Sequence, residues 1–101
     1  MKIIAKREAI LSPLQAVIGV VERKQTMPIL ANVLVAAKGG KLSITATDLE
    51  VELVATSDVD VQRGGEITIP GRKLLDICRA LPDGTEITLT QEGERMLVRA
   101  R

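Results

Sequence analysis

The sequence contains no phenylalanine, tyrosine, tryptophan or histidine, and its only cysteine is Cys78. Without aromatic rings it lacks the stacking platforms with which proteins usually grip single-stranded nucleic acid. Without histidine, and with a single cysteine, it cannot build a Cys/His zinc site, a Ser-His-Asp triad or a Cys-His nucleophile. These absences argue against an enzyme, and we expect neither a metal nor a cofactor.

Charge of one sign and long apolar runs are also missing. Fourteen Lys and Arg oppose thirteen Asp and Glu, for a net charge of +1, so any electrostatic attraction to DNA must come from a local patch. No segment reaches the roughly 18 apolar residues of a membrane span, and Arg7 and Glu8 interrupt a signal-peptide pattern. The unpaired Cys78 suits a reducing compartment. We expect a cytoplasmic protein with no membrane partner.

What is present is a succession of strand and helix patterns in 101 residues, the size of one small domain. Alternating apolar residues predict strands, and apolar residues at helical spacing predict two helices. The first helix is predicted at 8–21, with Ser12 as N-cap and Pro13 in the first position of its better-ordered part. The second is predicted at 71–84, stopped by Pro82 and Gly84, with its apolar face formed by Leu74, Leu75, Ile77, Cys78 and Leu81. The predicted strands are 2–6, 29–37, 41–47, 49–56, 66–70, 85–90 and 95–101, and residues 57–65 are predicted as a turn and connector.

Three carboxylates, Asp48, Glu50 and Glu52, recur at every second residue and suggest either a site or a solvated strand face. A metal site needs further converging ligands, and a glycosidase pair needs a cleft. A half-buried antiparallel strand explains the spacing without either. We therefore interpret the acids as the solvent-exposed face of a strand, with charge pairing to a neighbouring strand as the alternative.

The order of elements repeats after about 65 residues. Each half, about 1–60 and 65–101, begins with a strand, a helix and two further strands, which indicates a duplicated β-α-β-β-β unit of the α+β class. The second half ends before its last strand. If each half formed its own sheet, the second would expose an edge that invites another chain. The sequence thus predicts either a fragment or a domain whose partner supplies the missing strand.

Several stretches together resemble one known family. They are MKIIAKREAILSPLQAV, TMPILANVLV, LSITATDLEVELVA, EITIPGRKLLDICRALPDG and EGERMLVRA. In order, they are similar to the N-terminal domain of the bacterial sliding clamp, the β subunit of DNA polymerase III. The resemblance implies a non-catalytic processivity factor that forms a ring around duplex DNA, independent of sequence, with helices lining the hole. It implies as partners a second clamp subunit, and the polymerase and clamp loader through regions absent here.

The candidate DNA-binding residues are basic and lie on or after the helices. Lys24 and Arg72 match family positions that contact DNA in the channel, so the resemblance favours them. Arg23, Lys73 and Arg79 are secondary candidates, and Lys73 has subunit contact as its alternative. Lysine and arginine neutralise phosphates whatever the bases are, which a sliding protein requires. The alternative function is an interaction domain, or a fragment, that pairs through an open sheet edge without closing a ring.

Overall fold

The computed structural model describes residues 1–22, 32–47 and 52–100. In these ranges the chain forms two helices and eight strands. Their bounds are β1 Lys2–Lys6, α1 Arg7–Glu22, β2 Asn32–Lys38, β3 Lys41–Thr47, β4 Glu52–Asp58, β5 Asp60–Arg63, β6 Gly65–Pro70, α2 Gly71–Ala80, β7 Glu86–Glu92 and β8 Arg95–Ala100.

The strands form two antiparallel sheets. Sheet I has the order β5-β1-β7-β8, and sheet II has the order β4-β3-β2-β6. Each sheet draws strands from both halves of the sequence, because β1 joins β7 and β6 joins β2. The two halves therefore do not form separate sheets, and the condition under which the second half would have a sheet of its own is not met. Strand partners depend on the path of the whole chain, which local patterns do not reveal.

Among the described residues, the hydrophobic core is aliphatic apart from Met1 and Cys78, and it lies between the sheets and the helices. Helix α1 packs on β3 and β4 and against α2, and α2 also contacts β2. Alternate strand residues point inward, as period-two patterning requires. The largest fully buried side chains are Ile3, Ile10, Leu14, Val17, Val33, Val35, Leu42, Ile44, Leu75, Cys78, Ile87 and Leu89.

Helix α1 covers the predicted residues 8–21 with one more residue at each end. It starts at Arg7, directly after β1, and contains Pro13 in its interior, so the expected N-cap at Ser12 is wrong. Proline lacks the N–H that would bond the carbonyl four residues back. That carbonyl belongs to Ala9, and it accepts a hydrogen bond from the Ser57 hydroxyl of β4 instead. A tertiary contact thus satisfies the group that Pro13 leaves without its helical partner.

The predicted connector at 57–65 is also different in the structure. Strand β4 continues to Asp58, and β5 follows with only Val59 between them. Strand β5 pairs with β1, so the chain passes from sheet II to sheet I at Val59. Residues 57–65 resemble a turn in sequence because Gly64 and Gly65 follow four residues that contain only one hydrophobic side chain, Val61.

Candidate nucleic-acid interface

Helix α2 presents the basic residues that sequence patterning singles out. It follows Pro70, whose φ of −64° leads into Gly71 as the first helical residue. The helix ends at Ala80, and Leu81 is extended with φ −91° and ψ 148°. Proline disfavours helical geometry at the residue that precedes it. Pro82 therefore ends the helix earlier than the predicted residue 84.

Arg72, Asp76 and Arg79 share the exposed side of α2. The Nε of Arg72 lies 3.3 Å from a carboxylate oxygen of Asp76, one helical turn on. The two side chains are 54% and 60% exposed, so this pair is screened by water and holds its partners only loosely. Two guanidinium groups and one carboxylate leave this side of the helix with a net positive charge. Arg72 and Arg79 are therefore brought together, as the helical spacing predicts.

Lys73 lies on a different side of the same helix. It lines a groove of about 350 Å³ between α2, β6 and β8, together with Ile77, Arg95, Met96 and Val98. Ile77 is 40% exposed there, so its predicted place on the buried face is wrong. The residues that the helix does bury are Gly71, Leu74, Leu75 and Cys78. Lys73 thus faces an apolar groove rather than the Arg72 side.

The outer face of α1 carries no charged side chain between Ser12 and Gly19. The exposed residues there are Ser12, Gln15, Ala16 and Gly19. Small neutral side chains let a polyanion approach closely, and hydroxyl and amide groups bond phosphate oxygens. Sequence reasoning did not consider this face because it searched for lysine and arginine. The signal was the lack of acids along the polar positions of the helix.

Arg7 fixes the start of α1 to the end of α2. Its side chain is 14% exposed; its Nη2 pairs with Asp83, and its Nε lies 3.0 Å from Glu8. Its Nη1 donates to the carbonyl of Cys78 at 3.2 Å, and the same carbonyl also accepts the N–H of Leu81 at 3.3 Å. The Glu8 carboxylate accepts the N–H of Gly84 at 3.0 Å. These contacts set the relative placement of the two helices.

Cys78 is buried and free, as the apolar spacing predicts. Burial raises the pKa of its thiol, and the charge of Arg7 partly opposes that rise. A raised pKa keeps the group as an unreactive thiol. Cys78 is therefore a packing residue of the helix pair.

Two of the candidate cations and two of the three acids lie outside the described residues. These are Arg23 and Lys24, and Asp48 and Glu50. Glu52 is exposed at the start of β4, whose side chains alternate in burial as predicted. Within 1–22, 32–47 and 52–100, no three acidic, histidine or cysteine residues are grouped so that they could hold a metal ion. No helix in those ranges is long and apolar enough to cross a membrane.

The full length of the chain matches one family of proteins. Residues 1–101 match the sequence model described as DNA polymerase III beta subunit, N-terminal domain. The chain belongs to this family. The resemblance noted in the sequence is thereby confirmed, and so is the α+β clamp-domain fold.

Relatives of this family agree with the chain in sequence and in fold. The Beta sliding clamp of Pseudomonas aeruginosa is 53% identical over 96 residues, covering 94% of this chain and 26% of that protein. That of Escherichia coli K12 is 50% identical over 101 residues, covering 99% and 28%. The solved structure of Caulobacter crescentus pol III beta has a TM-score of 0.89 at 40% identity, covering 100% of this chain and 27% of its own. The chain spans about a quarter of the length of these relatives.

Proposed function

We propose that this chain acts as the first domain of a sliding clamp, a non-catalytic processivity factor that encircles duplex DNA and tethers a replicative polymerase in the cytoplasm. The observation that carries the proposal is the match of residues 1–101 to the DNA polymerase III beta N-terminal family. The exposed arginines of α2 and the uncharged face of α1 support it. A second clamp subunit would complete the ring. The polymerase and clamp loader would bind parts of the longer relatives that this chain does not span.

The mechanism follows from the kind of contact that these helices can make. Arg72 and Arg79 can each neutralise a phosphate and release a counterion without reading a base. Asp76 lies beside Arg72 and limits how tightly any one phosphate is held. Weak exchangeable contacts permit movement along the duplex, while enclosure by the ring keeps the protein on it. We assign the same phosphate role to Lys24, with Arg23 as a secondary contact.

Among the candidates on α2, Lys73 has the least support for a phosphate contact. Its position in the groove beside Arg95 and Met96 supports a role in a protein contact. We therefore propose Arg72 and Arg79 as the phosphate contacts of this helix and Lys73 as a contact to another protein segment. The comparison of Lys73→Gln with Arg72→Gln in the assay below separates the two roles.

The experiment is fluorescence anisotropy with a labelled duplex of mixed sequence, titrated with the chain over a series of salt concentrations. We expect weak binding that does not depend on sequence and falls linearly on a plot of log affinity against log salt. Arg72→Gln and Lys24→Gln should each lower the slope by about one. Arg63→Gln, the same change on β5 away from both helices, is the control and should leave the slope unchanged.

Two results would contradict the proposal. One is tight binding that persists at high salt, because phosphate contacts are salt-dependent. The other is an equal loss of slope in Arg72→Gln and Arg63→Gln, because the contact would then be spread over the surface rather than placed on the helices.

A further inference from the structure

The two ends of helix α2 are anchored in different ways. At the start, Gly71 follows Pro70 of β6 without a linker, and β6 pairs with β2. A methyl group at Gly71 would lie 3.0 Å from the Cδ1 of Ile18 on α1 and 3.0 Å from the Cγ1 of Val33 on β2. The backbone at this glycine therefore packs directly against the core. The sheet and this close packing together fix the start of the helix.

The end of α2 is held by hydrogen bonds from the junction between β1 and α1. The backbone N–H of Arg7 donates to the carbonyl of Thr85 at 2.7 Å. The Glu8 carboxylate accepts the N–H of Gly84 at 3.0 Å. Both contacts fix the loop after the helix. The Arg7 side chain reaches further, because its Nη1 donates to the carbonyl of Cys78 inside the helix itself.

The contact with Cys78 holds the residue directly before a proposed phosphate contact. Cys78 is buried, and the next side chain, Arg79, is exposed. We propose that Arg7 is a positioning residue for DNA binding: it fixes the end of α2 so that Arg79 meets a phosphate together with Arg72. This inference rests on the proposed function, in which both arginines neutralise phosphates.

The helix geometry explains why the end of α2 must be held. Arg72 and Arg79 are seven residues apart, which is close to two turns and about 10 Å along the axis. A rigid helix presents both guanidinium groups at once, whereas a loosened end must be ordered each time Arg79 binds, at a cost in entropy. The Arg7 side chain is only 14% exposed, so it acts through Arg79 rather than on the phosphate.

A substitution that conserves charge separates position from electrostatics. In Arg7→Lys a single ammonium replaces the planar guanidinium, so it cannot bond the Cys78 carbonyl and the Asp83 carboxylate from two separate nitrogens. The net charge does not change. In the anisotropy assay with the duplex of mixed sequence, Arg7→Lys should lower the salt slope by up to about one, as if the Arg79 contact were lost. Arg63→Lys, the same change at an exposed position of β5, is the matched control and should leave the slope unchanged.

Crossed variants show which phosphate contact depends on Arg7. Arg79→Gln should lower the slope by about one in the parent chain and by roughly half that or less in Arg7→Lys. Arg72→Gln should lower the slope by about one in both backgrounds, because the start of the helix keeps its own anchor. A loss of folded protein weakens every affinity within one background alike. A merely structural role of Arg7 would therefore leave these differences unchanged.

Circular dichroism establishes that each variant is folded. If Arg7→Lys does not fold, Glu8→Gln takes its place, since its amide oxygen still accepts the N–H of Gly84 but pairs less strongly with the guanidinium. Glu66→Gln on β6 makes the same charge change and is its control. Arg79→Gln should then cost less slope in Glu8→Gln than in Glu66→Gln.

Three results would overturn the inference, and they have different meanings. An equal loss of slope for Arg79→Gln in the parent and in Arg7→Lys leaves the DNA contact standing but removes the positioning role. An equal weakening of the Arg72 and Arg79 contributions in Arg7→Lys shows that the whole helix moves rather than its end. No effect of Arg79→Gln in the parent chain shows that the proposed phosphate contact itself is wrong.

Discussion

Residue 13 is a proline inside helix α1, and a residue of strand β4 compensates for its missing N–H. The carbonyl of Ala9 lacks its helical partner because Pro13 has no N–H, and the Ser57 hydroxyl of β4 bonds it. Pro13 is buried and Ser57 is half-buried. One side chain on the sheet therefore makes the irregular helix compatible with the core.

We expect Ser57→Ala to lower the free energy of unfolding by about 1–3 kcal/mol, because it leaves the Ala9 carbonyl without a partner in a partly buried site. The cost should be smaller in a Pro13→Ala background, where residue 13 regains the N–H that can bond Ala9. Urea unfolding of the four chains in this cycle measures the coupling. Equal costs of Ser57→Ala in both backgrounds would show that the hydroxyl does not compensate for the proline.

Cys78 adds a pH dependence to stability. Burial raises the pKa of its thiol, so the folded state prefers the protonated form. The stabilising contribution is complete below the unfolded thiol pKa of about 8.5 and is lost as pH rises through the higher folded value. We expect the free energy of unfolding to fall as the pH rises above the unfolded thiol pKa of about 8.5, and to fall less in Cys78→Ala. Identical slopes in the two proteins would contradict the assignment.

At the scale of elements, the contacts of Arg7 decide how α1 and α2 meet. The guanidinium group is nearly buried and bonds the end of α2 through the Cys78 carbonyl. Its second partner, Asp83, is 91% exposed. The hydrogen bond to the Cys78 carbonyl therefore contributes more to stability than the ion pair with Asp83, because water screens the exposed carboxylate.

Arg7→Met, which keeps most of the apolar stem, should lower the free energy of unfolding by about 1.5–3 kcal/mol, the usual loss for a hydrogen bond made by a charged group. Asp83→Asn should change it by no more than about 0.5 kcal/mol. Thermal and urea unfolding of both variants measure the difference. A large loss of unfolding free energy in Asp83→Asn would show instead that the exposed ion pair supplies most of the stabilisation.

The elements also show which parts of the fold local sequence can predict. The alternation in β3 and β4 predicts both strands, because one face of each is buried against the core. The N-cap expected at Ser12 is wrong because local capping rules place proline in the first turn, whereas Ser57 satisfies the freed carbonyl from a distant strand. Strand β5 was missed because its four residues pair with β1 across more than fifty intervening positions.

At the scale of the whole molecule, the candidate site was predictable where it depends on one helix. Helical periodicity places Arg72 and Arg79 on one side of α2. It also places Lys73 on the flank, but it cannot show that this flank faces β8, because sheet I combines strands from both halves of the chain. The uncharged face of α1 was overlooked for a different reason: a surface suited to a polyanion is defined as much by missing acids as by added bases.

A salt-dependence experiment tests the whole surface at once. Because the net charge is only +1, non-specific attraction should be small and the helix face should dominate DNA binding. Reversal of the Asp76 charge by Asp76→Lys should strengthen binding at low salt and steepen the salt slope by about one. Glu66→Lys, the same change on β6, is the matched control. A gain of equal size in both variants would mean that overall charge, rather than the helix face, attracts DNA.

The aliphatic core has an optical consequence. With no tryptophan, tyrosine or phenylalanine anywhere in the chain, the protein is almost transparent in the near ultraviolet and emits no fluorescence of its own. Its concentration must be measured by peptide absorbance, and any near-ultraviolet signal in a mixture belongs to the other component. A single tryptophan in place of Ile77, at the groove beside β8, would report on any change in that groove against a dark background.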